Sequence, residues 1–164
     1  MINEEELMVY LKMPAGTFYL ELVRNVTVNL AEKAGFSKED LSEIEMAVDE
    51  ALTNVIEHAY TGNKDVGFNN FKTCKNSFSF PVELRVKADQ ERILVILRDK
   101  GKRFDFDSYG KIDLDDYLSE MKAGGLGVCI IRTFMDKVEY KHRDDSGNEL
   151  RMIKYLRNPG NAED

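Results

Sequence analysis

An unbroken apolar run at residues 93–97 (Ile-Leu-Val-Ile-Leu) constrains the fold of this 164-residue chain more than any other feature. Five apolar residues are far fewer than the roughly 20 that a membrane helix needs, and they fit a strand that is buried on both faces. A second apolar run lies at 82–86, and the polar sequence Asp89-Gln-Glu-Arg92 separates the two. This spacing predicts an antiparallel hairpin whose second strand is central in a sheet.

Two helices are predicted before this hairpin. Apolar residues recur at every fourth position over 15–34, which is typical of a helix with one buried stripe. The predicted stripe consists of Phe18, Leu22, Val26 and Leu30, with Tyr19 and Val23 beside it. Gly35 suits the left-handed position after a helix, and Ser37 with Asp40 is typical of the cap that begins the next helix, over about 41–59. A first strand is expected over 5–12, ahead of Pro14.

The remaining segments complete a single α+β domain. Residues 61–80 are polar with interleaved phenylalanines and are expected to form a long loop, with or without a partly packed hairpin. The acidic residues 104–123 form a second irregular segment, in which 113–121 is a candidate short helix. A third helix is predicted over about 128–135, followed by strands at 138–142 and 150–156, and the tail at 158–164 is expected to fray. No repeat or linker divides the chain, so we expect one domain over 1–157 with its helices on one face of a mostly antiparallel sheet.

The charge balance argues against some classes of function. The chain has 23 Lys and Arg against 30 Asp and Glu, a formal net charge of -7, which argues against a general nucleic-acid binder because phosphate contacts need a basic surface. A basic protein partner or a metal-bound nucleotide remains compatible with this charge. Cys74 and Cys129 are too few for a disulfide framework or a zinc site, and the N-terminus is acidic where a signal peptide is basic. We therefore expect a cytoplasmic protein that does not enter a membrane.

Three polar residues of the second helix are candidates for chemistry. Glu50, Asn54 and His58 recur every four residues, so they share one face of the helix, beside its apolar stripe. A row of this kind is either a solvated helix face or one wall of a site. In a site, the Asn oxygen suits a hard cation such as Mg²⁺, and the Glu carboxylate suits a general base.

Two further motifs contain glycine next to groups that can bind ligands. Asp99 and Gly101 follow the central strand, where the carboxylate either caps a turn or accepts a hydrogen bond from a ligand amine while the glycine permits close approach. The sequence Gly124-Gly125-Leu126-Gly127 precedes the third helix. It is either a mobile linker or a helix start whose backbone N–H groups bind an anion, and it matches neither a Walker A nor a dinucleotide-binding motif.

In this order, the motifs resemble the N, G1 and G2 boxes of the GHKL (Bergerat-fold) ATPase/kinase superfamily. Within it, the sequence over 47–60 (Ala-Val-Asp-Glu-Ala-Leu-Thr-Asn-Val-Ile-Glu-His-Ala-Tyr) and the sequence over 124–140 are most similar to the anti-sigma-factor serine-protein kinases of bacterial partner-switching systems. The resemblance covers about residues 5–156. It implies a two-layer α/β sandwich with helices on one face of a mostly antiparallel mixed sheet.

The resemblance also implies roles for individual residues. Asn54 would coordinate Mg²⁺, and Glu50 would orient or deprotonate a serine hydroxyl that attacks the γ-phosphoryl group of ATP. Asp99 would accept a hydrogen bond from the adenine amino group, with Gly101 leaving space for the ring. His58 would have a supporting role. The backbone N–H groups that would bind the phosphates belong to Gly124, Gly125, Leu126 and Gly127.

The ATP lid of the family corresponds to residues 104–123 of this chain. A lid closes over the nucleotide and then releases it, and Lys122 is the basic residue that we expect to meet the terminal phosphate. The second glycine of the G1 box is replaced by Arg103, which either crowds the nucleotide, points outward or pairs with phosphate. The insertion at 61–80 is longer than the family leads us to expect, and its phenylalanines either pack locally or form part of a partner surface.

The resemblance implies a serine kinase that phosphorylates a STAS-type anti-anti-sigma protein and also sequesters a sigma factor. The alternatives are a nucleotide-binding switch that sequesters a protein partner without kinase activity, and ATP hydrolysis without a protein acceptor. The family commonly forms homodimers, for which Val23, Val26, Leu30 and the first strand are the candidate surface. ATP and Mg²⁺ are the expected cofactors, and neither nucleic acid nor a membrane is an expected partner.

Overall fold

Five strands form one open sheet in the computed structural model, which describes residues 6–60, 81–106 and 126–157. The strands are β1 (Leu7–Pro14), β2 (Pro81–Ala88), β3 (Arg92–Asp99), β4 (Lys137–Arg143) and β5 (Gly147–Tyr155). Their spatial order is β1-β2-β3-β5-β4, and all four neighbouring pairs are antiparallel. Over the described residues every neighbouring pair of strands is therefore antiparallel. The resemblance implied a mostly antiparallel sheet with some parallel pairing, and the described strands show none.

β3 is the central strand, as its apolar run predicted. Successive residues of a strand point to opposite faces of the sheet, and on β2 the buried residues are every second one. On β3, Ile96 lies on the face opposite to Leu97, yet both are buried, at 5% and 1% exposure. Burial on both faces explains why this segment is apolar at every position.

The helices cover one face of the sheet. They are α1 (Leu20–Ala34), α2 (Lys38–Asn54) and α3 (Leu126–Phe134), with a 3-10 turn (Thr17–Tyr19) before α1 and a π-helical segment (Val55–Ala59) after α2. α2 packs against both α1 and α3, and α1 packs on β2. This is the predicted two-layer α+β arrangement. In the described ranges, no helix combines the length and the apolar character needed to cross a membrane.

The predicted junction between the first two helices is confirmed. Gly35 adopts a left-handed φ of +98°, and its N–H donates to the Glu32 carbonyl oxygen at 3.0 Å. Ser37 then caps α2, where its Oγ accepts a hydrogen bond from the Asp40 N–H at 3.1 Å. Two short-range signals thus set the start of the helix that bears Glu50.

The buried face of α1 differs from the predicted one. Phe18 and Leu22 are 63% and 46% exposed, whereas Val23, Thr27 and Ala31 are fully buried. Both rows recur every four residues, so periodicity alone does not distinguish two rows that lie one position apart. The tertiary structure buries the row of smaller side chains fully, while Phe18 and Leu22 stay exposed and Leu30 packs partly buried against the core.

A buried lysine on β5 joins three elements. Lys154 is fully buried, and its Nζ lies 2.5 Å from Glu43 Oε2 and 3.4 Å from Asp40 Oδ1, both on α2. It also donates to the Phe134 carbonyl oxygen at the end of α3, at 3.0 Å. A buried charge needs partners of this kind. Through these contacts Lys154 links the start of α2 to the end of α3.

Candidate active site

Glu50 and Asn54 of α2 meet the N-terminus of α3 at Gly127. A Cβ atom built on Gly127 would lie 2.6 Å from Glu50 Oε2 and 3.2 Å from Asn54 Nδ2, so any side chain at this position would displace the ends of these two side chains. Within the described residues, no hydrogen bond or ion pair engages the Glu50 or Asn54 side chain. The first N–H groups of a helix lack intrahelical partners and can bind an anion. A carboxylate, a carboxamide and backbone donors therefore converge at one place.

The surroundings of Glu50 raise the pKa of its carboxyl group. Partial burial is the largest cause, because it disfavours the charged form, and the negative charges of Asp49 and Glu57 add to the effect. Asp49 itself is paired with Arg24, whose Nε lies 3.2 Å from Asp49 Oδ1 and whose Nη2 lies 2.5 Å from Oδ2. A raised pKa brings a carboxylate closer to the pH at which a general base is effective.

His58 lies in the π-helical segment, where the wider turn interrupts the four-residue repeat of α2. Its side chain is exposed, and its ring stacks on Phe104 with the centroids 5.5 Å apart. Tyr60 follows the segment, and its hydroxyl donates to the Pro81 carbonyl oxygen at 2.8 Å and accepts from the Lys100 N–H at 3.0 Å. The two hydrogen bonds of the Tyr60 hydroxyl hold the turn that follows β3 next to the start of β2.

Asp99 ends β3 and is buried, with 6% exposure. Its Oδ1 accepts hydrogen bonds from the Gly101 N–H and from Asn148 Nδ2, each at 2.8 Å, and no described residue donates to Oδ2. Burial raises the pKa of the carboxyl group, although the bonds from Asn148 and Gly101 and the nearby His142 oppose the shift. The two interpretations of Asp99 are thus compatible, because one oxygen caps the turn and the other can accept from a ligand.

A small, mostly apolar cavity lies beside Asp99, between α2 and the helix-facing side of the sheet. Its lining includes Ala51, Asn54, Leu97, Phe104, Tyr140 and Leu150. Apolar walls with a few convergent polar groups are typical of small-molecule sites. Asn54 lines this cavity and also borders Gly127, so the cavity adjoins the N-terminus of α3.

Gly101 and Arg103 lie in the turn beside the cavity. A Cβ atom on Gly101 would lie 2.3 Å from the Ala59 carbonyl oxygen, so this position needs glycine because the turn packs on the end of the π-helical segment. The Lys102 N–H donates to the same oxygen at 2.7 Å. The expectation that Gly101 leaves room for a ring stays a prediction. Arg103 is exposed, in agreement with the outward orientation.

The donors present suit Mg²⁺ held together with a nucleotide. Asn54 supplies one carboxamide oxygen beside the N-terminus of α3. In the three described ranges, no group of three His, Cys, Asp or Glu side chains is placed to form a metal cage. Mg²⁺ typically takes one or two protein ligands together with phosphate oxygens, so the residues of this site fit the ion.

Sequence reasoning missed Asn148 and Tyr140. Asn148 lies opposite Asp99 in β5, and the Tyr140 hydroxyl donates to Asn148 Oδ1 at 2.8 Å. A signal was present, because every second residue of β5 is buried and Asn148 begins the row that continues with Leu150 and Met152. A polar residue in such a row needs buried partners.

Part of the predicted site lies outside the described residues. It comprises Lys122, Gly124 and Gly125, together with most of the lid expected over 104–123, the insertion at 61–80 and the tail at 158–164. Of the glycine motif, Leu126 begins α3 and is 41% exposed, and Gly127 contacts the site.

Comparison with known proteins supports the motif assignment. The family model of the histidine kinase-like ATPase domain matches residues 13–154. The chain is 33% identical over 152 residues to the serine-protein kinase RsbW of Halalkalibacterium halodurans, which covers 90% of this chain and 83% of that protein. It is 29% identical over 161 residues to RsbW of Staphylococcus aureus, which covers 95% of this chain and 91% of that protein.

A solved structure shows the same fold at low sequence identity. A chain in the crystal structure of the SiaB–SiaC complex from Pseudomonas aeruginosa superposes with a TM-score of 0.58 and 12% identity, covering 90% of this chain and 89% of that one. The family match spans β3, α2 and α3, which carry the residues of the site. The chain therefore belongs to the histidine kinase-like ATPase domain family, and within it to the serine-protein kinases related to RsbW.

Proposed function

We propose that this chain transfers the γ-phosphoryl group of ATP to a serine of a STAS-type anti-anti-sigma protein and also sequesters a sigma factor. The observation that carries the proposal is the approach of Gly127 to Glu50 and Asn54, which brings backbone N–H groups suited to an anion next to a candidate general base. Serine as the acceptor is supported by the serine-protein kinases to which the chain is similar.

The adenine ring and the phosphates of ATP would occupy adjoining parts of the site. The adenine amino group would donate to Asp99 Oδ2, next to the apolar lining of the cavity. The N–H groups at the start of α3 would donate to the phosphates, with Gly124, Gly125 and Lys122 in the roles that the family implies. Asn54 borders both parts, which favours a nucleotide that extends from the cavity towards Glu50.

Glu50 is the proposed general base. Its carboxylate would take the proton of the serine hydroxyl while the serine oxygen bonds to the γ-phosphorus and the bond to the bridging oxygen of ADP breaks. Asn54 would hold Mg²⁺ through its side-chain oxygen, and the bound ion would neutralise phosphate charge. The protein contributes chiefly position and electrostatics to such a reaction.

The surface charge bears on the partners. A net charge of -7 favours association with a basic surface of a sigma factor, and complementary charge raises the rate and specificity of such encounters. ATP and sigma factors occur in the cytoplasm, so the proposed reaction takes place there.

The direct test is transfer of radiolabelled phosphate from ATP to a purified STAS protein. Glu50→Gln should lower the rate by about 10²- to 10⁴-fold, the usual contribution of a general base, while calorimetry shows ATP affinity within a few-fold of wild type. Glu39→Gln, an exposed carboxylate in the first turn of α2, is the matched control and should keep full activity. Wild-type chain that binds ATP but phosphorylates no STAS protein would support the partner-sequestering switch instead.

We also expect a homodimer. The protomer exposes Phe18 and Leu22 on its first helical segment and Met8 and Tyr10 on β1, and exposed large apolar side chains favour association. Val23, expected at this surface from the sequence, is buried within the protomer. Light scattering should give about twice the 18.8 kDa of one chain, and Phe18→Glu should shift the mass towards one chain. A wild-type mass of 18.8 kDa at high concentration contradicts the dimer.

A further inference from the structure

Asn148 is held opposite Asp99 by the backbones of two neighbouring strands. Asp99 of β3 pairs with Asn148 of β5 in the antiparallel register. Gly147 precedes Asn148 with a φ of +84°, and a Cβ atom on it would lie 2.1 Å from the Asp99 carbonyl oxygen, so the strands approach more closely than a side chain allows. Asn148 is only 3% exposed and must therefore find its hydrogen-bond partners inside the protein.

Hydrogen bonds on both sides fix the orientation of the Asn148 amide. Its Nδ2 donates to Asp99 Oδ1 at 2.8 Å and to the Lys102 carbonyl oxygen at 3.0 Å. Its Oδ1 accepts from the Tyr140 hydroxyl at 2.8 Å and lies 2.7 Å from His142 Nδ1. Acceptors surround the nitrogen and the Tyr140 hydroxyl donates to the oxygen, so a flipped amide would lose bonds on both sides.

These contacts leave Asp99 with one oxygen for a ligand. Its Oδ1 receives Asn148 Nδ2 and the Gly101 N–H, each at 2.8 Å, and two donors occupy both lone-pair directions of a carboxylate oxygen. Its Oδ2 receives no hydrogen bond from the described residues, and Asp99 lines the cavity. The side chain therefore presents a single acceptor to a molecule in the cavity.

We propose that Asn148 is a specificity-determining residue that makes the site select adenine over guanine, an inference that rests on the proposed binding of ATP at Asp99. Guanine presents two adjacent donors, N1–H and its amino group, and pairs best with a carboxylate that has both oxygens open. Adenine presents one amino donor beside an acceptor nitrogen, and one open oxygen satisfies that donor. Because Asn148 occupies Oδ1, a guanine donor stays unpaired in a buried site, which weakens binding.

Calorimetric titrations with Mg·ATP and Mg·GTP measure this effect as a ratio of dissociation constants. Wild-type chain should bind ATP more tightly than GTP. Asn148→Ala and Asn148→Leu, the second with the same branching and the same number of non-hydrogen side-chain atoms as Asn, both remove the side-chain donor to Asp99 Oδ1. Each should lower the preference for ATP by about tenfold or more, the scale expected for one unpaired buried donor. Tyr140→Phe removes one donor to the amide oxygen and should lower the ratio by a smaller factor.

The control variant tests whether lost stability alone changes the ratio. Thr27 is fully buried on α1, away from the cavity, and its Oγ1 donates to the Val23 carbonyl oxygen at 2.8 Å. Thr27→Ala should lower the melting temperature and leave the ratio of the two dissociation constants unchanged. A folded state for each variant is checked by its thermal unfolding transition.

One result would overturn the inference, namely a wild-type ratio of the two dissociation constants in whichever of the Asn148 and Tyr140 variants fold. Loss of ATP and GTP affinity by the same factor, as a merely structural residue would give, is a case of this result. If the wild-type chain transfers phosphate from ATP and the variants keep the wild-type ratio of the ATP and GTP dissociation constants, only this inference is overturned. Wild-type chain that does not bind ATP overturns the proposed function together with it.

Discussion

At the scale of single residues, Gly127 is where the start of α3 and the candidate base come together. The backbone reaches Glu50 Oε2 and the Asn54 amide because position 127 has no side chain. A side chain there would push apart the backbone N–H groups that we propose hold phosphate and the carboxylate that we propose takes the proton. Reactions that depend on positioning lose about 10²-fold in rate for a displacement of about 1 Å.

Gly127→Ala should therefore lower phosphotransfer by about 10²-fold or more and weaken ATP binding, while the chain remains folded. The added Cβ atom would lie 2.6 Å from Glu50 Oε2, so the Glu50 carboxylate must move from its position to relieve the contact. Gly16→Ala is the matched control, because its Cβ atom would meet only Tyr19 Cδ2, at 4.0 Å, and its φ of -178° is extended. Full activity in Gly127→Ala, measured by phosphotransfer, would contradict the proposed site.

The pH dependence of phosphotransfer should reflect the raised pKa of Glu50. A general base works in its charged form, so activity should fall, as pH decreases, at a pH above the ordinary glutamate value of about 4.3. Asp49→Asn removes a negative neighbour, which lowers the pKa of Glu50 and moves the acidic limb to lower pH.

The pH–rate profile of the wild type and Asp49→Asn is the measurement. Glu45→Gln is the control, because Glu45 also pairs with Arg24, at 3.5 Å, but does not contribute to the pKa of Glu50. An acidic limb that stays in place in Asp49→Asn, or that moves to higher pH, would show that Glu50 is not the titrating base.

At the scale of elements, α2 carries the candidate base and the candidate metal ligand along its length. Its start is set by Ser37, and its end passes into the π-helical segment after Asn54. The cap lies more than three turns from Glu50, so the cap contributes to the stability of the helix and not to the geometry of the site.

Ser37→Ala should lower stability by about 1 kcal/mol, because the Asp40 N–H loses its acceptor. For a chain of this size that corresponds to about 2–4 °C in melting temperature, measured by circular dichroism. Ser42→Ala is the control, since Ser42 is exposed within the same helix and alanine favours helix. Equal melting temperatures for the two variants, or lost phosphotransfer in folded Ser37→Ala, would contradict this role.

At the scale of the whole molecule, Lys154 links the sheet to two helices. It bonds to Glu43 and Asp40 at the start of α2 and to the last carbonyl of α3. Lys154→Met should lower the free energy of unfolding by about 3–5 kcal/mol, because carboxylates are left without their buried cation. Lys12→Met, which breaks the exposed pair with Glu83, should change it by at most about 1 kcal/mol. Urea denaturation measures both, and similar losses in the two variants would contradict the role of Lys154.

The same network predicts how stability depends on pH. Burial acts to raise the pKa of Asp40, but the Ser37 hydrogen bond and the Lys154 charge outweigh it, and the pKa lies below its usual value. Such a group stabilises the fold above its unfolded-state pKa of about 3.9, and this contribution is lost as pH falls through the lower folded-state pKa. In Lys154→Met the Asp40 pKa rises, so unfolding free energy should depend less steeply on pH below about 4. Parallel pH profiles would contradict the linkage.

The amino-acid sequence by itself determined the order of the main helices and strands and the residues of the candidate boxes. These are short-range properties, because residues two or four positions apart share a face and a cap acts within three residues. The central position of β3 followed from its apolar run, and the start of α2 from Ser37.

Only the tertiary structure decided which row of α1 is buried, that Gly127 touches Glu50, and that Asn148 holds Asp99. The last two contacts join residues that are tens of positions apart in the chain. The periodicity of a segment describes its own faces and carries no information about which other segment packs on them. Shape and distance between packed elements select these contacts, and both exist only once the chain has folded.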